Sequence, residues 1–271
     1  MKKLTKRTKS RLGYIPDIPD IRDIHYLPNE TLIHRLPTAV DLTPSFPVYN
    51  QGRIGSCTAN ALAGAVQYER LAHKETPNFT PSRLFIYYNE RVIEGSVDYD
   101  AGAMLRDGIK ALHKAGVCPE NEWPYDDAPP VQDGGEFPAS SLAKKKPNAS
   151  CYQEAVKYVI TRYERIHQDI NHLKTCLADG YPFVFGFTIY DSWLNNKQSP
   201  ATHIPLPGQD DKPIGGHAVL CVGYDDRTQL FRIRNSWGDG VGDKGYFFMP
   251  YDYMTHRQLA SDFWVIYTVK N

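Results

Sequence analysis

Four residues of this 271-residue chain have the side chains and surroundings for nucleophilic chemistry: Gln51, Cys57, His217 and Asn235. Cys57 sits in "NQGRIGSCTANA", where a Gly-Ser turn runs into a stretch of helical periodicity. A thiol attacks only as thiolate. A helix N-terminus favours that form, because unpaired N–H groups and the peptide dipole stabilise negative charge there. A base must share the proton, and His217 in "GGHAVLCVGYD" is flanked by Gly215 and Gly216, which leave room beside the imidazole. Asn235 in "RNSWG" ends an expected strand and offers an amide to orient that ring, with Trp237 beside it to cover the hydrogen bond from water. An oxyanion needs donors already in place, and the side-chain N–H of Gln51 and the backbone N–H of Cys57 supply two. Each residue also has a plain structural reading: a packed thiol, a core histidine, a strand-ending asparagine and an amide in a turn.

These groups lie far apart in the chain, so folded elements must bring them together. Ala59, Leu62, Ala63, Val66 and Leu71 recur at helical spacing after Ser56, a candidate cap. A second helix is expected in "PSRLFIYYNERVIEG", with Pro81 at its first position and Gly95 as terminator, and a third in "AMLRDGIKALHKAG". Residues 128 to 150 mix Pro, Gly, Ser and a Lys run and are expected to connect two lobes. Beyond them "AVKYVITRYERI" alternates like a strand, "DINHLKTCLADG" has an Asp cap and a Gly stop, and "YPFVFGFTIY" is an apolar core strand. "GGHAVLCVGYD", "QLFRIRNSW", "KGYFFMP" and "SDFWVIYTV" complete a mainly β second half, with "GDGVGDKG" as a hairpin turn that lacks calcium- or phosphate-loop spacing. The expected organisation is an arm over 1–40, a helical lobe over 41–150 carrying the nucleophile, and a β lobe over 151–271 carrying His217 and Asn235.

Composition narrows the function. The 31 basic and 31 acidic residues cancel, giving no electrostatic argument for a nucleic-acid partner, and no apolar run is long enough to cross a bilayer. Five cysteines (Cys57, Cys118, Cys151, Cys176, Cys221) form an odd, sparse set without CxxC spacing. They suggest free thiols, and neither a disulfide framework nor a metal site. The first twelve residues hold six Lys or Arg and no acid, but no apolar secretory segment follows, so a cytoplasmic location is the expectation. "GYIPDIPDIRD" and "LPTAVDLTPSFPVYNQG" are studded with proline and should be extended.

Taken together, Gln51, "GSC" at 55–57, "GHAVLCVGY" at 216–224 and "NSWG" at 235–238 resemble the papain-like cysteine peptidases of bacterial type, over residues 41 to 271. His217 follows Cys57 by 160 positions and Asn235 follows by another 18, an order that fits the family. The resemblance implies an α+β, papain-like fold of two lobes, helical on the left and β-barrel-like and antiparallel on the right, with a cleft between them. It implies a cysteine-type endopeptidase acting through a Cys57–His217–Asn235 triad, with Gln51 at the oxyanion, on peptide or protein substrates and without a metal or organic cofactor. Substrate contacts are expected at Gly102, near the glycine with which the family pairs substrate backbone, and at Gly216 and Trp237. Departures are Ile54 in place of a disulfide cysteine, and Thr58 and Val241 where tryptophan is common. The arm resembles segments that lie over the cleft in bacterial members, which makes it an expected intramolecular inhibitor; a strap finishing the β lobe is the alternative. Transpeptidation on the same site and a catalytically silent peptide-binding module are the rival functions.

Overall fold

The computed structural model describes residues 12–194 and 202–268. Its central helix, α2 (Cys57–Ala72), follows a short helix, α1 (Glu30–Ile33). The sequence suggests one apolar face for α2, yet the structure buries every residue from Cys57 to Gln67. The reason is the run of alanines and Gly64, small enough for neighbours to approach on all sides; a helix that is apolar all round belongs inside. The next helices, α3 (Arg83–Glu94) and α4 (Leu105–Ala115), pack against it. α3 begins two positions later than its proline suggests: the Ser82 side chain caps it by accepting the Phe85 N–H, while Pro81 bridges to Pro119.

Nine strands form two sheets among the described residues. β1 (Tyr14–Ile15) and β3 (Ala103–Met104) make a short parallel pair. The larger sheet contains β2 (Ala39–Asp41), β4 (Arg162–Arg165), β5 (Phe183–Tyr190), β6 (Pro213–Asp225), β7 (Leu230–Arg234), β8 (Tyr246–Pro250) and β9 (Ala260–Tyr267). Its order is β4-β9-β5-β6-β7-β8, with β2 added to β6, and every pairing is antiparallel. Residues 235–245 link β7 to β8, where the "GDGVGDKG" turn was expected. The remaining helices are α5 (Ala149–Ala155), α6 (Ile170–Ala178), α7 (Asp191–Leu194) and α8 (Tyr251–Thr255). One local expectation fails: "AVKYVITRYERI" does not run as one strand. Asn148 caps α5 through the Cys151 N–H, which draws Ala155 into the helix, and extended structure starts only at Arg162.

β6 separates two apolar cores. Successive side chains of a strand point to opposite faces. Ala218, Leu220 and Val222 accordingly join α2, α3 and α4, while Val219 and Cys221 join Phe183, Phe185, Phe187 and the α6 face. No helix among the described residues is long and apolar enough to cross a membrane.

Candidate active site

The α2 N-terminus and the β6–β7 end of the sheet are joined by backbone pairing. Asn50 bridges Trp237, the Gln51 N–H donates to the Ser236 carbonyl (2.8 Å), and the Gly238 N–H donates to the Tyr49 carbonyl (2.9 Å). This places the Gly-Ser-Cys turn beside the Asn235 loop. The turn itself is held from below. The Asp100 carboxylate accepts the Gly55 N–H (2.9 Å) and the Tyr87 hydroxyl (2.6 Å), and Tyr87 in turn accepts the Gly102 N–H (3.3 Å). The Ser56 hydroxyl bonds the Tyr125 hydroxyl, which donates onward to the Gln51 carbonyl (2.9 Å). Ser56 occupies the cap position of α2 without capping through its side chain, because this hydroxyl is committed to Tyr125.

His217 lies on β6 directly opposite Phe187 and is fully buried. Its Nε2 meets Asn235 Oδ1 at 2.8 Å. An amide oxygen is only an acceptor, so Nε2 carries the proton, and Nδ1 is the nitrogen left for chemistry. Asn235 Oδ1 also accepts the Ser236 N–H (2.8 Å), which fixes the amide. Trp237 stacks on the imidazole at 4.8 Å and is itself backed by Trp193 at 5.8 Å, so an apolar double layer covers the His217–Asn235 bond. Gln51 is fully buried; its Nε2 donates to the Ile54 carbonyl (3.0 Å) and its Oε1 accepts the Ser236 hydroxyl (2.7 Å), which sets the direction of the amide.

The Cys57 sulfur faces the backbone N–H groups of Ala218, Gly13 and Thr58. Ala218 follows His217, so the sulfur lies against the strand that carries the imidazole. The helix-terminus reading of a depressed pKa does not describe this state. Burial pushes the Cys57 thiol up to about 12, and the three N–H groups offset only part of that, because desolvation penalises the thiolate. Behind Cys57 the Thr58 hydroxyl donates to the buried Glu90 carboxyl (2.7 Å), so a hydroxyl-carboxyl pair occupies the place of the tryptophan that the resemblance leads one to expect.

What covers the sulfur is residues 12–17. Gly13 passes over the Gly-Ser-Cys turn so tightly that a Cβ on it would lie 1.8 Å from the Gly55 carbonyl oxygen. Its own carbonyl accepts the Ala103 N–H (2.8 Å). Gly102, at φ +75°, has no space for a side chain, since a Cβ would sit 2.0 Å from the Gly13 oxygen. Gly216 meets Tyr14 in the same way, at 2.4 Å from the Tyr14 oxygen. Both expected substrate-contact glycines therefore touch the chain's own N-terminal segment. Further along, Asp17 accepts the Arg106 N–H (3.1 Å) and the Trp264 indole N–H (2.8 Å), and Asp23 pairs with Arg106 and Arg165. Tyr14, Asp17 and Asp100 are functional candidates that sequence reading misses; Asp100, two residues before Gly102 in "DYDAGA", is the one with a nearby signal. Among the described residues no cluster of three or more His, Cys, Asp or Glu side chains is placed to hold a metal ion.

A family model described as "Papain family cysteine protease" matches residues 36–265. A peptidase C1-like protein, L477, of Acanthamoeba polyphaga mimivirus is 36% identical, covering 98% of this chain and 89% of its own length. The crystal structure of xylellain, a cysteine protease from Xylella fastidiosa, superposes with a TM-score of 0.94 at 62% identity, covering 98% of this chain and 99% of xylellain. The proCathepsin B S9 of Trypanosoma congolense shares the fold, with a TM-score of 0.72 at 17% identity over 97% of this chain and 88% of its own. With a thiol at a helix start, a histidine on the adjoining strand and a family match across most of its length, the chain belongs to the papain family of cysteine proteases.

Proposed function

We propose that this protease cleaves peptide bonds through Cys57, His217 and Asn235, and that its N-terminal arm holds it inactive until displaced. The observation that carries the first part is the 2.8 Å bond between His217 Nε2 and Asn235 Oδ1, which leaves Nδ1 for the thiol. With the cleft open, water and substrate replace the arm and the burial penalty on Cys57 falls. His217 takes its proton, and the sulfur attacks the scissile carbonyl carbon. The Cys57 N–H and the Gln51 side chain stabilise the oxyanion, and the His217 imidazolium protonates the leaving amine. Water activated by His217 then releases the acyl group. Asn235 holds the imidazole in the required tautomer.

Inhibition by the arm is supported by how Gly13 meets the sulfur. Its backbone lies so close over the Gly-Ser-Cys turn that a Cβ on it would meet the Gly55 oxygen at 1.8 Å, and its carbonyl is held by the Ala103 N–H, so the arm occupies the approach to the turn that carries the thiol. Hydrolysis of fluorogenic peptides under reducing conditions tests the reading: Cys57→Ala should abolish turnover, and Asn235→Ala should lower kcat at least tenfold. Turnover by a Tyr14→Ala chain, whose arm is released, that persists unchanged when Cys57→Ala is added would end it. Transpeptidation and silent binding predict, respectively, amine-adduct products and no turnover; no contact in the structure favours either.

A further inference from the structure

A buried carboxyl group lies behind the nucleophile and takes no part in the steps above. Glu90, on α3, is fully buried. Its Oε1 accepts the Thr58 hydroxyl at 2.7 Å, and its Oε2 has no hydrogen-bond partner among the described residues. Oε2 lies over Gly108 of α4, where a Cβ would come within 2.6 Å of it. The adjacent Arg91 does not neutralise it, because that guanidinium is committed to the carbonyls of Tyr87, Val97, Tyr99 and Ala143. The other titratable groups facing Glu90 are two further carboxyls, Glu94 on α3 and Asp107 on α4, and the Cys57 thiol on α2. A carboxylate with one donor, no cation and acidic neighbours has little to offset the cost of burying its charge. Burial, countered only in part by the Thr58 hydroxyl, holds Glu90 well above the ordinary carboxylate range, so the group stays protonated at neutral pH.

Resting on the reading that Cys57 is the nucleophile, we propose that Glu90 is a positioning residue for it, a neutral carboxylic acid that pins Thr58 and with it the first turn of α2. Thr58 matters because its backbone N–H is one of three that face the Cys57 sulfur. A second of these, from Gly13, leaves with the arm, so in the open cleft the Thr58 and Ala218 N–H groups remain to stabilise the thiolate. The Cys57 N–H that serves the oxyanion belongs to the same turn. The neutral state is what makes this support compatible with the chemistry. A charged carboxylate behind the sulfur would oppose the thiolate, since two negative charges would share one buried site. A carboxylic acid still accepts the Thr58 proton through Oε1 while its own proton sits on Oε2. A large ring at position 58 would fix the turn by packing; threonine does so through one hydrogen bond, which makes Glu90 its necessary partner.

The test follows alkylation of Cys57 by iodoacetamide in the full chain, read by peptide mapping from about pH 5 to pH 9, in the parent, Glu90→Leu, Thr58→Val and Glu90→Gln. The Thr58–Glu90 bond joins α2 to α3 and does not involve the arm, so the open fraction scales all four chains alike and drops out of their ratios. Glu90→Leu and Thr58→Val should each slow labelling at pH 7 about fivefold, the equilibrium weight of one typical hydrogen bond, and move its rise with pH upward by at least half a unit. Combining the two should cost no more than either alone, since both break the same bond. Glu90→Gln, neutral at every pH and still an acceptor for Thr58, should restore labelling to within twofold of the parent. The infrared difference between the parent and Glu90→Gln at pH 7 should show the C=O stretch of a protonated carboxylic acid. Glu90→Leu and Thr58→Val labelling like the parent, Glu90→Gln labelling as slowly as Glu90→Leu, or carboxylate bands in place of the acid band would each overturn the assignment; Thr58→Val carries the comparison if Glu90→Leu does not fold. The expected labelling pattern in a chain that hydrolyses no fluorogenic peptide would count against the proposed activity while leaving the hold of Glu90 on the thiol standing.

Discussion

Replacing Tyr14 by alanine in the full chain should unlock Cys57. The tyrosine ring is buried between Gly186 and Gly216 and its phenol bonds Asp262 and Ser261, so the arm loses both packing and a charge-assisted hydrogen bond. Truncating a buried aromatic residue to alanine costs about 3–5 kcal/mol. If that loss falls on arm docking, the open population rises by roughly two to three and a half orders of magnitude, at about 1.4 kcal/mol per tenfold. The assay is the rate of Cys57 alkylation by iodoacetamide near neutral pH, followed by peptide mapping. In the parent the sulfur is buried and its pKa is pushed up to about 12, so alkylation proceeds through the rare open state. In Tyr14→Ala the rate should climb at least a hundredfold, or until most molecules are open, with Cys118, Cys151, Cys176 and Cys221 labelled as in the parent. A rate within twofold of the parent, in a variant with the parent's circular dichroism, would refute the idea that Tyr14 anchors the arm.

Two other perturbations address stability. Burial, then Glu75, raises the Glu69 pKa to about 8, so the folded state holds a proton that the unfolded chain releases near pH 4.5. Its favourable contribution is complete below that lower value and is lost as pH rises through about 8; Glu69→Gln should therefore raise Tm at pH 8.5 by several degrees and change it little at pH 4, which thermal melts at the two pH values check. Gly108→Ala should destabilise the helical side by about 1–3 kcal/mol, because its Cβ would press on Leu62 at 2.4 Å and on Glu90 at 2.6 Å; a denaturant midpoint equal to the parent's would contradict that packing.

The fold was largely legible because its signals are local. Apolar runs between Gly- and Asp-rich turns mark β5, β6 and β9, the Asp169 cap opens α6 as expected, and Gly95 closes α3 in the left-handed conformation. Where one short-range signal competes with another, the reading slipped: the alternation after Ala155 looked like strand, but the Asn148 cap captured Ala149–Ala155 for helix. The site divides in the same way. Gln51, Cys57, His217 and Asn235 announce themselves through the turns and glycines beside them. Tyr14 and Asp262 are separated by 248 positions and meet only in three dimensions, so neither carries a mark in its own neighbourhood. The state of Cys57 escapes the sequence for a related reason. A helix N-terminus can be inferred from adjacent residues, whereas burial by a segment more than forty positions upstream cannot.

The strand Pro213–Asp225 pairs with three others and sends alternate residues into opposite interiors. Adding or deleting one residue between Gly216 and Val222 would exchange the two linings at once and turn the imidazole away from the thiol. Length variation in relatives of this chain must therefore be absorbed beyond the strand's ends, and descent can remodel the rim of the groove far more freely than the seam beneath it.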